Sequence, residues 1–326
     1  PVVLGNGTVA IMLALEALVP ARGEVIIPSF TFAATANAVA WAGFEPVFAD
    51  IDPETMTLDP DAVAEVIGPQ TVAVMGVHPF GGLCDIEGLD RLATEHGLIV
   101  LYDSAQAVGV RRNGRPVGHF GAGESFSLHT TKVLPVGEGG VVTSRDPEAA
   151  DRIRQTRNFG LGSTKAVNGL NGKITEFSAL LGLRALEVLD QHLAVRRRAA
   201  AEMKRRLDGV PGLHWQTIRS EVETNVQNLA LRIDADAFGL DADEVAAALS
   251  HDNIMARRYF NPCLHQLPAF VECRRGDVSQ SELVTTQSLC LPIYSDMTDG
   301  ETAVVAEAMI GLHQHAAAVR ARLDTE

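Results

Sequence analysis

The chain is poor in the features that mark disulfide-rich, membrane-spanning or nucleic-acid-binding proteins. Its four cysteines are scattered and form no Cys-x-x-Cys pair, which argues against a disulfide framework and favours a reducing, cytoplasmic location. No apolar run reaches the roughly 18 residues of a transmembrane helix. The formal net charge of −14 argues against nucleic acid or an anionic membrane as a partner. The histidines and cysteines lack the spacing of metal ligands, so no metal site is expected.

Lysine is also scarce. Only four of the 27 basic residues are lysines, and Lys132 is the only one in the first 164 positions. Because the chain otherwise uses arginine for positive charge, a lysine in a loop rich in Gly, Ser and Thr is a candidate for chemistry. An ordinary surface lysine is the alternative interpretation.

The rest of the composition is that of a globular protein. The 326 residues are 46% hydrophobic and 21% charged, which is enough for two domains with large cores. The sequence begins at Pro1, inside an apolar segment. We therefore expect the natural chain to extend further at this end.

Strand-like and helical patterns alternate through the first half of the chain. Solid apolar runs such as Val25-Ile26-Ile27 suit strands that are covered on both faces. The alternation predicts an α/β fold with a mostly parallel central sheet. The predicted strands are residues 24–29, 46–51, 71–78, 98–102, 125–129 and 139–144. The predicted helices are residues 8–18, 33–42, 60–67, 87–96, 147–157 and about 174–207.

The end of the chain has a different pattern, which predicts a smaller α+β domain. Its predicted strands are residues 229–233 and 289–294, and its predicted helices are residues 241–249 and 299–315. We set the domain boundary so that the large domain is 1–195 and the small domain is 196–326. Asn113-Gly114 predicts a tight hairpin turn.

Gly5-Asn6-Gly7-Thr8 precedes the first predicted helix. A helix start offers unpaired N–H groups and the positive end of the helix dipole, so this segment is a candidate phosphate site. An ordinary Asn or Thr helix cap is the alternative.

Asp103 ends a strand that is central in the predicted sheet. Ligands of open α/β sheets bind outside such strand ends, and the small residues after Asp103 leave room for a flat ligand. A turn-initiating aspartate is the alternative.

Lys132 lies between two short predicted strands and precedes Gly137-Glu138-Gly139-Gly140. A crowded lysine has a lowered pKa and can form a Schiff base. A phosphate site, a carboxylate and such a lysine are together what pyridoxal 5′-phosphate requires.

Several motifs in register resemble the DegT/DnrJ/EryC1/StrS family of sugar aminotransferases, over nearly the whole chain. The motifs are Asn6-Gly7-Thr8, Pro28 to Thr35, Val77-His78-Pro79-Phe80-Gly81, Asp103-Ser104-Ala105-Gln106-Ala107, Ser127-x-His129-x-Thr131-Lys132, Gly137-Glu138-Gly139-Gly140, Gly169 to Lys173 and Arg258-Tyr259-Phe260-x-Pro262. The resemblance implies a pyridoxal 5′-phosphate enzyme of the aspartate aminotransferase fold (fold-type I), normally a homodimer. Family members carry a further segment before Asn-Gly-Thr that shapes the substrate pocket and the dimer.

The resemblance also implies cofactor-binding roles. Lys132 matches the family's Schiff-base lysine, and Asp103 matches the partner of the pyridine nitrogen. Gln106 matches the residue beside the ring hydroxyl. Phe32 matches the aromatic that packs on the ring, although a core phenylalanine is the alternative.

Further residues match positions around the phosphate and the substrate. Gly7, Thr8 and Ser127 match phosphate contacts, and Asn171 matches an asparagine that reaches the phosphate of the neighbouring subunit. The candidate substrate residues are His129, Lys173, Tyr259, Phe260 and His265. Tyr259 and Phe260 have a core interpretation, His265 that of a satisfied loop histidine, and Lys173 that of a surface charge.

The expected reaction moves an amino group from L-glutamate to a keto sugar on a nucleotide diphosphate and yields 2-oxoglutarate. Lys173 stands where the family usually has an arginine. A lysine here resembles the motif of a subgroup that makes amino-dideoxy sugars, and this resemblance favours a 4-keto-6-deoxyhexose as the substrate. A 3-keto sugar or cyclitol aminotransferase and a non-catalytic regulatory protein of the same fold are the alternatives. Lys132 argues against a dehydratase branch with histidine at this position. A Rossmann protein is disfavoured because no Gly-x-Gly-x-x-Gly follows the first strand.

Overall fold

The computed structural model describes residues 1–162 and 168–323. The strands are β1 (Val2–Leu4), β2 (Glu24–Pro28), β3 (Glu45–Ala49), β4 (Ile51–Asp52), β5 (Thr57–Leu58), β6 (Thr71–Val77), β7 (Ile99–Asp103), β8 (Arg111–Arg112), β9 (Arg115–Pro116), β10 (Gly123–Ser127), β11 (Gly140–Ser144), β12 (Leu213–Trp215), β13 (Val222–Glu223), β14 (Leu229–Ile233) and β15 (Ser288–Leu291). The helices are α1 (Gly7–Leu18), α2 (Ala33–Trp41), α3 (Pro60–Val66), α4 (Ile86–His96), α5 (Pro147–Thr156), α6 (Glu176–Arg206), α7 (Ala235–Phe238), α8 (Ala242–His251), α9 (Ser279–Gln287), α10 (Asp299–Gln314) and α11 (Ala316–Leu323). Among the described helices, none is long and apolar enough to cross a membrane.

A seven-stranded sheet organises the first half of the chain, in the order β1-β11-β10-β7-β6-β2-β3. The strands from β10 to β3 run parallel to their neighbours, whereas β11 is antiparallel to both β10 and β1. The predicted mostly parallel sheet is therefore confirmed. The carboxyl ends of β2, β6, β7 and β10 meet at one edge, with β7 in the centre.

Helices cover both faces of this sheet, which explains why its strands are apolar throughout. Every residue of β2 is buried. Val25 and Ile27 pack in the core beneath α1 and α2, whereas Ile26 points to the opposite core beneath α3 and α4. Alternate residues of one strand thus fill two cores, as in doubly covered sheets.

The end of the chain forms a separate three-stranded sheet, in the order β12-β14-β15. Its core contains Met203 of α6, Leu231 of β14, Val245 of α8 and Met309 of α10. Helix α6 crosses the predicted boundary between 195 and 196 without a break. The division into two domains stays a prediction.

Most predicted strands differ by one or two residues at an end from those in the structure, and two differ the most. The strand predicted at 125–129 is Gly123–Ser127 in the structure. It includes Glu124, whose carboxylate is buried. The strand predicted at 289–294 ends at Leu291, since Pro292 has no N–H to continue the ladder. The hairpin at Asn113-Gly114 is confirmed: both residues have positive φ, and β8 pairs with β9.

Candidate active site

A cleft of about 550 Å³ opens at the carboxyl edge of the large sheet. It lies against the start of α1, the ends of β7 and β10, and the loop that follows β10. Ten of the predicted site residues line it. They are Gly7, Thr8, Phe32, Asp103, Gln106, Ser127, His129, Lys132, Tyr259 and Phe260. The topology brings these distant segments together where ligands of α/β sheets bind.

Asp103, the last residue of β7, is a buried carboxylate in the lining of the cleft. It is 5% exposed. Its Oδ2 accepts a hydrogen bond from the Thr35 hydroxyl at 2.7 Å, and its Oδ1 accepts one from the Ala105 N–H at 3.0 Å. Burial raises the pKa of Asp103, whereas these hydrogen bonds and the charge of Lys132 lower it. A carboxylate held in this way suits a cationic ligand atom.

Lys132 is held in a tight loop between β10 and β11. Its backbone N–H donates to the His129 carbonyl at 2.9 Å. Burial lowers the pKa of Lys132, and the charge of Asp103 opposes this shift. A sheltered amine with a lowered pKa supplies the free base that imine formation needs.

The start of α1 is suited to an anion. Asn6 caps the helix by accepting the Val9 N–H at 2.9 Å. Within the described residues, the N–H groups of Gly7 and Thr8 donate to no protein acceptor. A Cβ on Gly7 would come within 2.9 Å of the Ser127 Cβ, so the helix start touches the end of β10. Free N–H groups beside the hydroxyls of Thr8 and Ser127 form a cradle for a phosphate.

Phe32 and Gln106 face the cleft from two further segments. Phe32 precedes α2 and is 60% exposed, so its ring is accessible to a flat ligand. The Oε1 of Gln106 accepts the Phe80 N–H at 2.5 Å. This bond orients the amide and leaves its NH₂ group as the donor for a ligand.

His129 is oriented by Thr131. Its Nδ1 accepts the Thr131 N–H at 3.2 Å, which leaves Nε2 as the ring nitrogen that can donate to another group. That nitrogen lies 3.7 Å from Glu138 Oε1 at the exposed side of the cleft. The pair gives the exposed side of the cleft an imidazole and a carboxylate.

Tyr259 and Phe260 close another side of the cleft. Phe260 is 6% exposed and stacks on Phe80, with ring centroids 5.3 Å apart. It also packs against Phe30, with ring centroids 5.3 Å apart. Phe260 is therefore largely a core residue with one edge at the cleft, whereas Tyr259 is more exposed.

Asn171 and Lys173 lie outside the cleft lining of a single chain. Lys173 Nζ donates to Asn158 Oδ1 at 3.1 Å and is 4.6 Å from the centroid of the Phe159 ring. Asn171 is exposed and pairs with Asn158 in an isolated β-bridge. Their predicted roles stay predictions.

His265 also lies outside the cleft lining. It is 6% exposed, and its Nδ1 is 2.6 Å from Ser29 Oγ. Its Nε2 is 3.1 Å from Glu282 Oε1. The imidazole is thus fully engaged between two elements, and its predicted substrate contact stays untested.

The sequence alone did not assign roles to Thr31, Thr35 and His78. Thr35 Oγ1 lies 3.2 Å from Thr31 Oγ1 as well as bonding Asp103. The signal was present, since two threonines four apart begin a helix directly after a strand. His78 is fully buried with a pKa lowered to about 3 by burial; it belongs to the motif Val77 to Gly81, which carried the family resemblance but no role for this histidine.

The donor set of the cleft fits pyridoxal 5′-phosphate. The α1 cradle is matched to a phosphate, the Asp103 carboxylate to a protonated ring nitrogen, and the Lys132 amine to an aldehyde. Each of these groups is sheltered and directed into the same cleft.

Comparison with known proteins gives the same assignment. The model of the DegT/DnrJ/EryC1/StrS aminotransferase family matches residues 1–310. The chain is 33% identical to a dTDP-4-amino-4,6-dideoxy-D-glucose transaminase of Shigella dysenteriae, over 90% of this chain and 80% of that protein. It is 31% identical to a GDP-perosamine synthase of Caulobacter vibrioides, over 93% of this chain and 83% of that protein.

The fold has a close counterpart among solved structures. The structure of DesI in the presence of its TDP-sugar product superimposes with a TM-score of 0.94 at 35% sequence identity. The match covers 99% of this chain and 83% of that chain.

Proposed function

Because the chain belongs to the DegT/DnrJ/EryC1/StrS aminotransferase family, we propose that it aminates a keto sugar carried on a nucleotide diphosphate. The chain is a pyridoxal 5′-phosphate-dependent transaminase of fold-type I, so the family, fold class, enzyme class and cofactor predicted from the sequence are confirmed. The finer proposal is an acceptor that is a 4-keto-6-deoxyhexose and a donor that is L-glutamate.

The names of the relatives support a nucleotide-sugar acceptor. One is a dTDP-4-amino-4,6-dideoxy-D-glucose transaminase, another is a GDP-perosamine synthase, and the DesI structure was determined in the presence of its TDP-sugar product. Because these relatives differ in their nucleotide, the proposal names the class of acceptor and leaves its base open.

The observation that carries the proposal is the joint presence of Lys132 and Asp103 in one cleft with the α1 cradle. When bound, pyridoxal 5′-phosphate supplies a carbonyl that bonds amines and a ring that accepts electrons. Asp103 holds a proton at the ring nitrogen. The Nζ of Lys132 would take the proton from the Cα of the donor and deliver it to C4′ of the cofactor, so that the amino group stays with the cofactor and the donor leaves as 2-oxoglutarate.

Other residues orient the reactants. The N–H groups of Gly7 and Thr8 bind the phosphate. Phe32 and Gln106 fix the plane and the hydroxyl of the ring. His129 and Glu138 face the keto sugar with one hydrogen-bond donor and one hydrogen-bond acceptor. This pair gives the sugar a preferred orientation.

A panel of keto sugars tests this function. Purified protein with pyridoxal 5′-phosphate is assayed with L-glutamate and with 4-keto and 3-keto-6-deoxyhexoses on dTDP, GDP and UDP, and 2-oxoglutarate is measured. We expect turnover with at least one 4-keto sugar. Turnover only with 3-keto sugars would contradict the finer proposal, and a lack of all turnover would favour a cyclitol acceptor or a regulatory protein.

We also propose that the enzyme is a homodimer with shared sites. The first half of α6 carries an exposed apolar strip, in which Phe177 is 71%, Leu180 59% and Leu183 64% exposed. Contiguous apolar surface of this kind marks an interface. The strip follows directly after Asn171, so a second copy that covers it would receive Asn171 near its own cleft.

Mixing two inactive variants tests the sharing. Lys132→Ala and Asn171→Ala proteins are unfolded, mixed in equal amounts and refolded, so that half of the dimers are mixed. If Asn171 acts across the interface, one site in each mixed dimer has both residues, and about a quarter of the natural activity should return.

The contrary outcome is equally clear. If Asn171 acts within its own chain, every site in the mixture lacks one residue and no activity returns.

Leu183→Asp tests the apolar strip of α6 and should give monomers in light scattering. Val304→Asp is the control: Val304 is 57% exposed in α10, and this variant should leave the dimer intact.

A further inference from the structure

The amide of one distant side chain, Gln227, holds the Lys132 loop on both sides of Lys132. Its Oε1 accepts the Val133 N–H at 3.1 Å, and its Nε2 donates to the Thr131 carbonyl at 2.9 Å. Both bonds are to the main chain, on the two sides of Lys132. Gln227 is 5% exposed, so the bonds do not compete with bulk water.

Most of the other hydrogen bonds of this loop are internal. The Lys132 N–H bonds the His129 carbonyl, and the Thr130 N–H bonds the Gly137 carbonyl. Across residues 1–162 and 168–323, the only other side chain from outside the loop that bonds its main chain between 129 and 135 is Ser127, the last residue of β10, whose Oγ accepts the His129 N–H at 3.3 Å. The amide of Gln227 thus sets the position of the loop relative to the rest of the cleft.

Gln227 is itself held rigidly by a buried arginine. Arg196 of α6 is 6% exposed. Its Nε donates to the Val226 carbonyl at 3.1 Å, and its Nη2 donates to the Gln227 carbonyl at 2.9 Å. Val226 has a φ of 48°, a strained value for a β-branched residue that such surroundings must hold in place.

The segment 225–227 also holds the loop that contains Gln106. Asn225 Nδ2 donates to the carbonyls of Gln106 and Val108 at 2.9 and 2.8 Å. Its Oδ1 accepts the Gln227 N–H at 2.8 Å. Residues 225–227 therefore connect the Gln106 loop to the Lys132 loop through a continuous set of hydrogen bonds.

We propose that Gln227 is a positioning residue, which holds the Lys132 amine in register with the Asp103 side of the cleft. It does not touch the reacting atoms. It acts by fixing the two peptide groups that flank Lys132, and a displacement of about 1 Å in a reacting group can lower a rate by about 10²-fold. This role rests on the proposed function for its effect on rate.

The test compares two buried glutamines. Gln227→Met keeps the size of the side chain and removes both bonds. Gln216→Met is the matched control: Gln216 is also 6% exposed and donates to the main-chain carbonyls of Thr55 and Pro79 at 2.9 and 3.3 Å, but it does not contact the Lys132 loop.

Two measurements are made on the full-length proteins. The first is hydrogen exchange of the peptide that contains Thr131 to Val133, with and without pyridoxal 5′-phosphate. We expect exchange to be faster by about tenfold or more in Gln227→Met and unchanged in Gln216→Met. The second is transamination, where we expect kcat to fall by about 10- to 10²-fold with KM for glutamate within about threefold.

The outcomes separate a positioning role from a general loss of stability. Unchanged exchange in Gln227→Met, or equal losses of kcat in both variants, would overturn the proposal. If Gln227→Met does not fold, Gln227→Glu keeps the acceptor for Val133 and removes the donor to Thr131. It should lower kcat by about tenfold, and natural kcat would overturn the proposal. If no keto sugar is aminated by the natural enzyme, the proposed function fails, while hydrogen exchange still decides whether Gln227 holds the loop.

Discussion

Lys132→Ala is expected to lower transamination by about 10⁴-fold or more and to remove the visible absorbance of the covalently bound cofactor. Lys132 is the sheltered amine of the cleft, and burial lowers its pKa toward the free base. No other described lysine lines the cleft, so nothing replaces its Nζ as the group that moves the Cα proton. The measurement is a spectrum of purified protein with pyridoxal 5′-phosphate, followed by the rate of 2-oxoglutarate formation.

Lys204 provides the matched control for this experiment. Burial also lowers its pKa, but it lies in α6 over the Trp215 ring, 5.3 Å from the ring centroid and away from the cleft. Lys204→Ala should keep both the spectrum and the rate. A Lys132→Ala protein with the natural spectrum would show that a different amine holds the cofactor.

Asp103→Asn is expected to lower kcat by about 10²-fold or more while the protein still binds pyridoxal 5′-phosphate. An amide is close in shape to the carboxylate and can still bond Thr35, but it carries no charge to hold a proton at the ring nitrogen. The loss should appear in kcat more than in KM for glutamate, because the charge acts on the reaction step.

Glu124→Gln separates this effect from the loss of any buried carboxylate. Glu124 is fully buried one strand away, and burial raises its pKa too. Its carboxylate bonds the Ser104 hydroxyl and the N–H groups of Gly118 and Phe120, outside the cleft. We expect Glu124→Gln to lose stability and to keep most of its kcat. Equal losses of kcat in the two variants would remove the special role of Asp103.

The central part of the fold and the core of the site were predictable from the sequence. Continuous apolar strands that alternate with helices predicted the parallel sheet. Asp103 lies at the end of its central strand, as expected. Local signals decide these features, because strand length, helix caps and turn residues depend on a few neighbours.

Features that depend on long-range packing were not predictable from local patterns. Glu124 is a charged residue inside a strand, and the bonds from Ser104 and from the loop at 118–120 explain it. His265 was a candidate for the substrate, yet it bonds Ser29, a residue 236 positions away. Gln227 has no sequence signal at all, since its partners are peptide groups that any residue would provide.

The main-chain contacts of Gln227 have a consequence for chimeric enzymes. A crossover between residues 195 and 196 would combine the cofactor half of one parent with the C-terminal half of another. Arg196 and Gln227 would then come from the same parent, and the targets of the Gln227 amide beside Lys132 are a carbonyl and an N–H that every parent has. Recombination at this junction should therefore exchange the cleft-lining Tyr259 and Phe260 without detaching the lysine loop.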